Sequence, residues 1–170
     1  EIFVELLNIN LEECCDFSFD NIEKHYSLIT DAFFKRIKIF FEKKEKNTKI
    51  TFKQFYEKYK INFNIYATSL NKRSNVCFNK DTYPDIEILV AMQASCSIPL
   101  IFPPVIINGE YFIDGCVKYI DGVVSDDVDK NKDDINIIIK TNSEPKNLTS
   151  YMNYITEVLN CFMQNEEEIN

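Results

Sequence analysis

The sequence predicts an α/β fold, a mixed sheet flanked by helices, and three observations carry that reading. Ile106-Ile107 and Tyr111-Phe112-Ile113 are strand-forming runs around Asn108-Gly109, the strongest short-range signal for a tight hairpin turn. "INIIIK" (135–140) is a short apolar run of the kind found in strands buried on both faces. Between and before these lie stretches with helical period and helix-start signals. The predicted order is helix–helix–strand–helix–hairpin–strand–helix.

Taken in order, residues 1–30 show apolar patches without a firm period. From about Asp31, Phe33, Ile37, Phe40 and Phe41 recur at helical spacing and give one apolar face, with a Lys-rich outer face ending in "EKKEKN". "TFKQFYEKYK" opens a second helix with Thr51 and Gln54 in capping-box spacing; Phe52, Phe55, Tyr56 and Tyr59 form its predicted buried face. Ile61, Phe63 and Ile65 alternate, so 61–70 reads as a strand. A third helix is expected to open at Pro84-Asp85 and to carry Ile86, Leu89 and Val90 on one side. Pro99, Pro103 and Pro104 then forbid a helix, and the chain must run extended into the hairpin. Asp114 ends the hairpin's second strand, and Gly115 is expected to allow a sharp departure. Met152, Ile155, Leu159 and Phe162 pattern a last helix before a polar tail.

The 170 residues suffice for one domain with a real core, to which 14 Phe and 9 Tyr contribute. The net charge of −8 argues against a nucleic-acid surface but leaves local apolar contact with lipid open. No apolar run is long enough to span a bilayer. The chain begins at Glu1 without a signal segment, which suggests a fragment or a processed chain. Six cysteines, at 14, 15, 77, 96, 116 and 161, form neither a CxxC pair nor a regular framework. Reduced thiols in the cytoplasm are expected. Asn147-Leu148-Thr149 matches a glycosylation acceptor with nothing else pointing to secretion.

Most chemical constellations fail on inspection. The one histidine, His25, has no paired carboxylates around it, so no metal site is expected. Asp127-x-Asp129-x-Asn131 begins like a calcium loop, but Lys132 and Ile138 stand where glycine and glutamate are needed. No cofactor is expected either: Gly109, Gly115 and Gly122, the chain's three glycines, are too far apart for a phosphate cradle. The same spacing rules out a Gly-x-Ser-x-Gly elbow within these residues. Asp114 alone reads two ways: a carboxylate fixed at a strand end for catalysis, or a turn-forming aspartate.

One segment carries more. "YATSLN…FNKDTYPDIEILVAMQASCSIPLIFPPVIINGEYFIDGCV" resembles the second half of the patatin-like phospholipase domain. That family has an A-S-x-S-I-P-x-x-F-P-P-V stretch, a hairpin, and an Asp-Gly-Gly/Ala motif holding its catalytic aspartate. Here these stand as Ala94-Ser95-Cys96-Ser97-Ile98-Pro99, Phe102-Pro103-Pro104-Val105, and Asp114-Gly115-Cys116. "TFKQFY" and "IYATSLN" look like earlier landmarks, and the likeness covers roughly residues 45 to 140. The resemblance implies a partial patatin-like fold over 1–140, with a C-terminal helix and polar tail over 141–170. It further implies a lipid acyl hydrolase using a Ser-Asp dyad on phospholipid or another acyl ester, with Asp114 as base. Gly115, Cys116, Ser95, Ser97 and Pro99 match the supporting positions, and the two serines match structural rather than nucleophilic ones. The departures are the missing elbow, Cys116 in place of Gly or Ala, and "KYID" in place of an asparagine-rich continuation. On this reading the chain alone is inactive, and the alternative is a non-catalytic remnant serving as an interaction module. Peripheral contact with membranes, through the Lys-rich face at 35–46, and self-association through an exposed sheet edge are further expectations.

Overall fold

The computed structural model describes residues 18–44 and 48–118, with Tyr154, Ile155 and Val158. The chain divides into two compact units, Glu1–Gly115 and Cys116–Asn170. The predicted strand at 135–140 and the acidic loop before it lie outside the described residues. Of the expected last helix, Tyr154, Ile155 and Val158 are described and are helical.

Ser18 opens α1 (Phe19–His25) by accepting the Asp20 amide hydrogen at 3.2 Å, which satisfies one donor that a helix start leaves over. The sequence shows no helical period there, and this element was not predicted. Helix α2 (Ala32–Lys44) forms where the apolar period predicts it. Phe33 and Phe34 pack on Phe102, with ring centroids 5.5 and 5.1 Å away, so α2 is held by the segment that leads into the hairpin. Helix α3 (Phe52–Tyr59) has the complete capping box: Gln54 N–H donates to Thr51 Oγ1 at 3.3 Å and Thr51 N–H donates to Gln54 Oε1 at 3.1 Å. Of its predicted buried face, Phe52 alone is fully buried, while Tyr59 stays exposed.

The strand predicted over 61–70 is shorter. Strand β1 covers Ile65–Ser69, and residues 61–64 are irregular, with Phe63 packing on Phe52 and Phe55 instead. Strand β2 (Ser74–Phe78), which the sequence reading passed over, pairs antiparallel with β1. Its turn contains no glycine. Arg73 takes the left-handed conformation at φ 53°, and Lys72 N–H donates to Ser69 Oγ; Asn71, a usual turn residue, sits in the same turn, but the left-handed position falls to Arg73.

Helix α4 covers Ile88–Ser95, four residues later than Pro84 suggests. Residues 84–88 instead pair with the start of α3: Lys53 N–H donates to Pro84 O, Phe52 N–H to Ile86 O, and Ile88 N–H to Ile50 O. The buried stripe of α4 is also different from the predicted one. Ile88, Ala91 and Ala94 face the sheet, and the two alanines, fully buried, let the helix axis close on Ala67 of β1.

Strands β3 (Val105–Ile107) and β4 (Glu110–Asp114) form the predicted hairpin. Asn108 and Gly109 both have positive φ, 52° and 80°, the signature of the type I′ turn whose twist suits a two-residue hairpin. The sheet order is β2-β1-β4-β3 and every described pair is antiparallel. The mixed sheet expected from the sequence is therefore not what the described strands form; the run at 135–140 that suggested it is not among them. Beneath α4, Phe78 and Phe112 meet edge to face at 5.1 Å, joined by Ile65, Val105 and Ile107. None of the described helices is long and apolar enough to cross a membrane.

Replacing Thr51 by alanine removes one half of the capping box and is expected to lower stability by about 1 kcal/mol. Urea denaturation of the variant against the parent chain checks this, and an unchanged midpoint would mean that packing of Phe52 alone sets the α3 start.

Candidate active site

Asp114 owes its position to register. It pairs with Ala67 of β1, and Phe112 pairs with Ser69 on one side and Val105 on the other. Paired residues of an antiparallel ladder share a face, and alternate residues of a strand return to it. Asp114 therefore projects from the same face as Phe112 and Ala67, the face that α4 covers. The two-residue turn at 108–109 admits one register, since a slip of one residue would send Asp114 to the opposite face.

The end of α4 meets this strand end. After Ser95 the helix closes through Cys96 N–H to Met92 O at 3.1 Å, and Ser97 N–H reaches Ala94 O at 3.3 Å. Ser97 is fully buried. Its hydroxyl donates back to Gln93 O at 2.8 Å, and its own carbonyl accepts the Asp114 N–H at 2.9 Å. Ser97 thus uses side chain and backbone to bind the helix end to the residue whose carboxylate is in question. Ser95, half-buried, closes α4, and Pro99 sits in the turn that follows; both belong to the helix-to-turn corner. That turn is held by Phe102 N–H on Ile98 O at 2.9 Å, while Leu28 and Ile29 donate to Leu100 and Ile101 carbonyls at 2.7 and 3.1 Å.

Gly115 is needed for a reason other than the expected one. It does not adopt a left-handed conformation. A Cβ at this position would lie 2.7 Å from the Tyr66 carbonyl oxygen of β1, so glycine is the residue that lets the backbone after Asp114 pass against the neighbouring strand. Cys116 is exposed, in the 3-10 turn Gly115–Val117. His25 is exposed at the end of α1. Among the described residues no three of His, Cys, Asp and Glu gather as metal ligands.

Sequence reasoning did not single out Cys96, which occupies the variable position of the A-S-x-S-I-P stretch. Although Cys96 keeps an exposed surface, partial desolvation raises its thiol pKa, and the negative charge of Asp114 raises it further. The thiol is thus an electrostatic neighbour of the carboxylate. Register could have suggested this only with the helix–strand contact already known.

Comparison with known proteins bears on what this corner is. The family model described as patatin-like phospholipase matches residues 14–129. A protein named "Probable lipid hydrolase 463L" from Invertebrate iridescent virus 6 is 29% identical over 172 residues, covering 97% of this chain and 54% of that protein. The chain therefore spans about half the length of the curated relative it matches.

Two substitutions separate the roles of the glycines. Gly109→Ala meets open space and is expected to cost about 1 kcal/mol through its positive φ alone. Gly115→Ala must displace backbone and is expected to cost more, which urea denaturation of both variants will rank. Equal costs would contradict the close approach to Tyr66. A second expectation concerns Cys96: Asp114→Asn removes a charge that disfavours the thiolate, so alkylation of Cys96 by iodoacetamide near pH 8 should speed up. Peptide mass spectrometry reads that rate, and an unchanged value would place the two side chains out of electrostatic reach.

Proposed function

Because this chain belongs to the patatin-like phospholipase family, we propose that it supplies the aspartate base of a Ser-Asp dyad in a lipid acyl hydrolase. The observation that supports this most is the fixing of Asp114 from three directions: the type I′ hairpin, the pairing with Ala67, and the Ser97 carbonyl on its amide. A general base must hold its oxygen within hydrogen-bond reach of the proton it takes, and a carboxylate on a rigid strand end meets that need.

In the proposed reaction a serine hydroxyl attacks the ester carbonyl carbon while its proton passes to the Asp114 carboxylate. The tetrahedral intermediate collapses, the C–O bond to the alcohol breaks, and the leaving oxygen takes the proton from Asp114. Water then attacks the acyl-serine with Asp114 again as base, releasing the carboxylic acid and restoring the hydroxyl. Neither a Gly-x-Ser-x-Gly elbow nor a glycine-rich oxyanion loop exists within these 170 residues. The serine and the oxyanion donors must then come from sequence outside them, in keeping with a chain that covers 54% of its viral relative. That same gap supports a second reading, in which the patatin-like corner serves binding rather than catalysis.

Hydrolysis of a chromogenic acyl ester by this chain and by a chain extended N-terminally to the length of the relative distinguishes the two. The short chain is expected to be inactive, the extended chain active, and its Asp114→Asn variant slower by about 10²–10⁴-fold. A well-folded extended chain with no esterase activity would overturn the catalytic reading in favour of the binding one.

A further inference from the structure

Helix α4 has no charged residue between Ile88 and Ser95. Its stripe of Ile88, Ala91 and Ala94 is spent on the core, while Met92 stays 36% exposed. Between α4 and α3 lies a cavity of about 480 Å³, lined by Leu89 and Met92 from α4, by Phe55 and Tyr59 from α3, and by Ile50 and Phe63. That volume falls within the range of small-ligand sites, about 300–1,000 Å³. None of Cys96, Ser97 and Asp114 lines it, so it is separate from the corner that holds the candidate base.

Its walls are aromatic. Phe55 stands between two other rings, with centroids 4.8 Å away at Tyr59 and 5.7 Å away at Phe63, both tilted rather than parallel. Tyr59 and Phe63 are 45% and 39% exposed, so the outer rings of this row keep surface that a further ring could cover in the same packing. The cavity is also short. Its lining runs along α4 from Ile88 to Met92 and along α3 from Gln54 to Tyr59, about 6 and 7.5 Å at 1.5 Å per helical residue. That span suits a fused ring pair better than an extended acyl chain.

Two polar groups break the apolar lining. Lys58 is the one charged residue in it, with its ammonium 4.8 Å from the centroid of the Tyr59 ring, and no acid lines the cavity. Thr48 lines it too and is nine-tenths buried. Among the described residues its hydroxyl makes no hydrogen bond, yet no fully enclosed side-chain oxygen lacks a partner. The Thr48 hydroxyl therefore reaches open space, where a ligand can meet it.

We propose that this cavity binds a planar aromatic carboxylate. The ring system extends the row of Phe63, Phe55 and Tyr59, the carboxylate accepts from Lys58, and the Thr48 hydroxyl supplies a second polar contact. A hydrogen bond to an ionised group is stronger than a neutral one, which separates this ligand from the corresponding alcohol. Ring packing separates it from an aliphatic acid. The site does not rest on the proposed role of Asp114.

The test is isothermal titration calorimetry of this chain with naphthoate, naphthylmethanol and octanoate. It needs no serine and no turnover, so its failure and the failure of the catalytic reading are separable. Naphthoate should bind with a Kd below about 1 mM, and the other two compounds about fivefold or more weakly. Tyr59→Ala, at an exposed position, should weaken both naphthyl compounds by about fivefold. Lys58→Gln should weaken naphthoate by about fivefold while leaving naphthylmethanol within about twofold, with folding of each variant verified by its thermal melt. No binding of naphthoate by the folded parent chain would overturn the proposal. So would octanoate binding as tightly as naphthoate, which would mark a site for aliphatic chains, or naphthoate binding that both folded variants leave unchanged.

Discussion

The hydrogen bond from the Asp114 amide to the Ser97 carbonyl, 2.9 Å long, ties together everything this structure offers as a site. On one side of it is a helix whose last turn is closed by the Ser97 hydroxyl; on the other is a strand whose register is set six residues earlier by Asn108-Gly109. Neither element alone determines where the carboxylate points. The hairpin fixes its face, and the helix end fixes its distance from the helix that covers that face. A buried backbone carbonyl and amide left unpaired here would cost about 1–3 kcal/mol, so the junction stabilises the fold as it sets the geometry.

Around that bond the packing is arranged by size. Ala67, Ala91 and Ala94 are completely buried and small, so α4 lies close over the middle of the sheet. Phe78, Phe112 and Phe52 fill the space beside it. Gly115 continues the same logic: its missing Cβ admits the Tyr66 carbonyl at a distance no side chain would tolerate. What remains is a helix whose sheet-facing side is satisfied and whose Met92 stays exposed.

The sequence was most informative where local physics is strongest. The type I′ turn follows from Asn-Gly, the capping box from Thr51 and Gln54, and α2 from its apolar period, each being a property of a few neighbouring residues. It was least informative where tertiary contacts overrode local preference. Pro84 and Asp85 have the chemistry of a helix start, yet they lie in a turn whose Pro84 carbonyl, with that of Ile86, pairs with the α3 start, and the helix begins only at Ile88. Between β1 and β2 the left-handed position is taken by Arg73 rather than by a glycine, so the turn's one local signal, Asn71, does not mark it. At the site, Asp114 and Ser97 were legible through the family resemblance of their motifs. The electrostatic coupling of Cys96 to the carboxylate required the helix and strand to be seen together.

The central claim is that Asp114 activates a serine, and the most direct measurement is covalent labelling of that serine by a fluorophosphonate in the N-terminally extended chain. Labelling reads nucleophile activation without the complications of substrate binding or product release. The account predicts that Asp114→Asn slows labelling by about 10²–10⁴-fold while thermal stability stays near that of the parent. Labelling at an unchanged rate in a folded Asp114→Asn chain would contradict it, and would leave Asp114 as the residue that ends a strand.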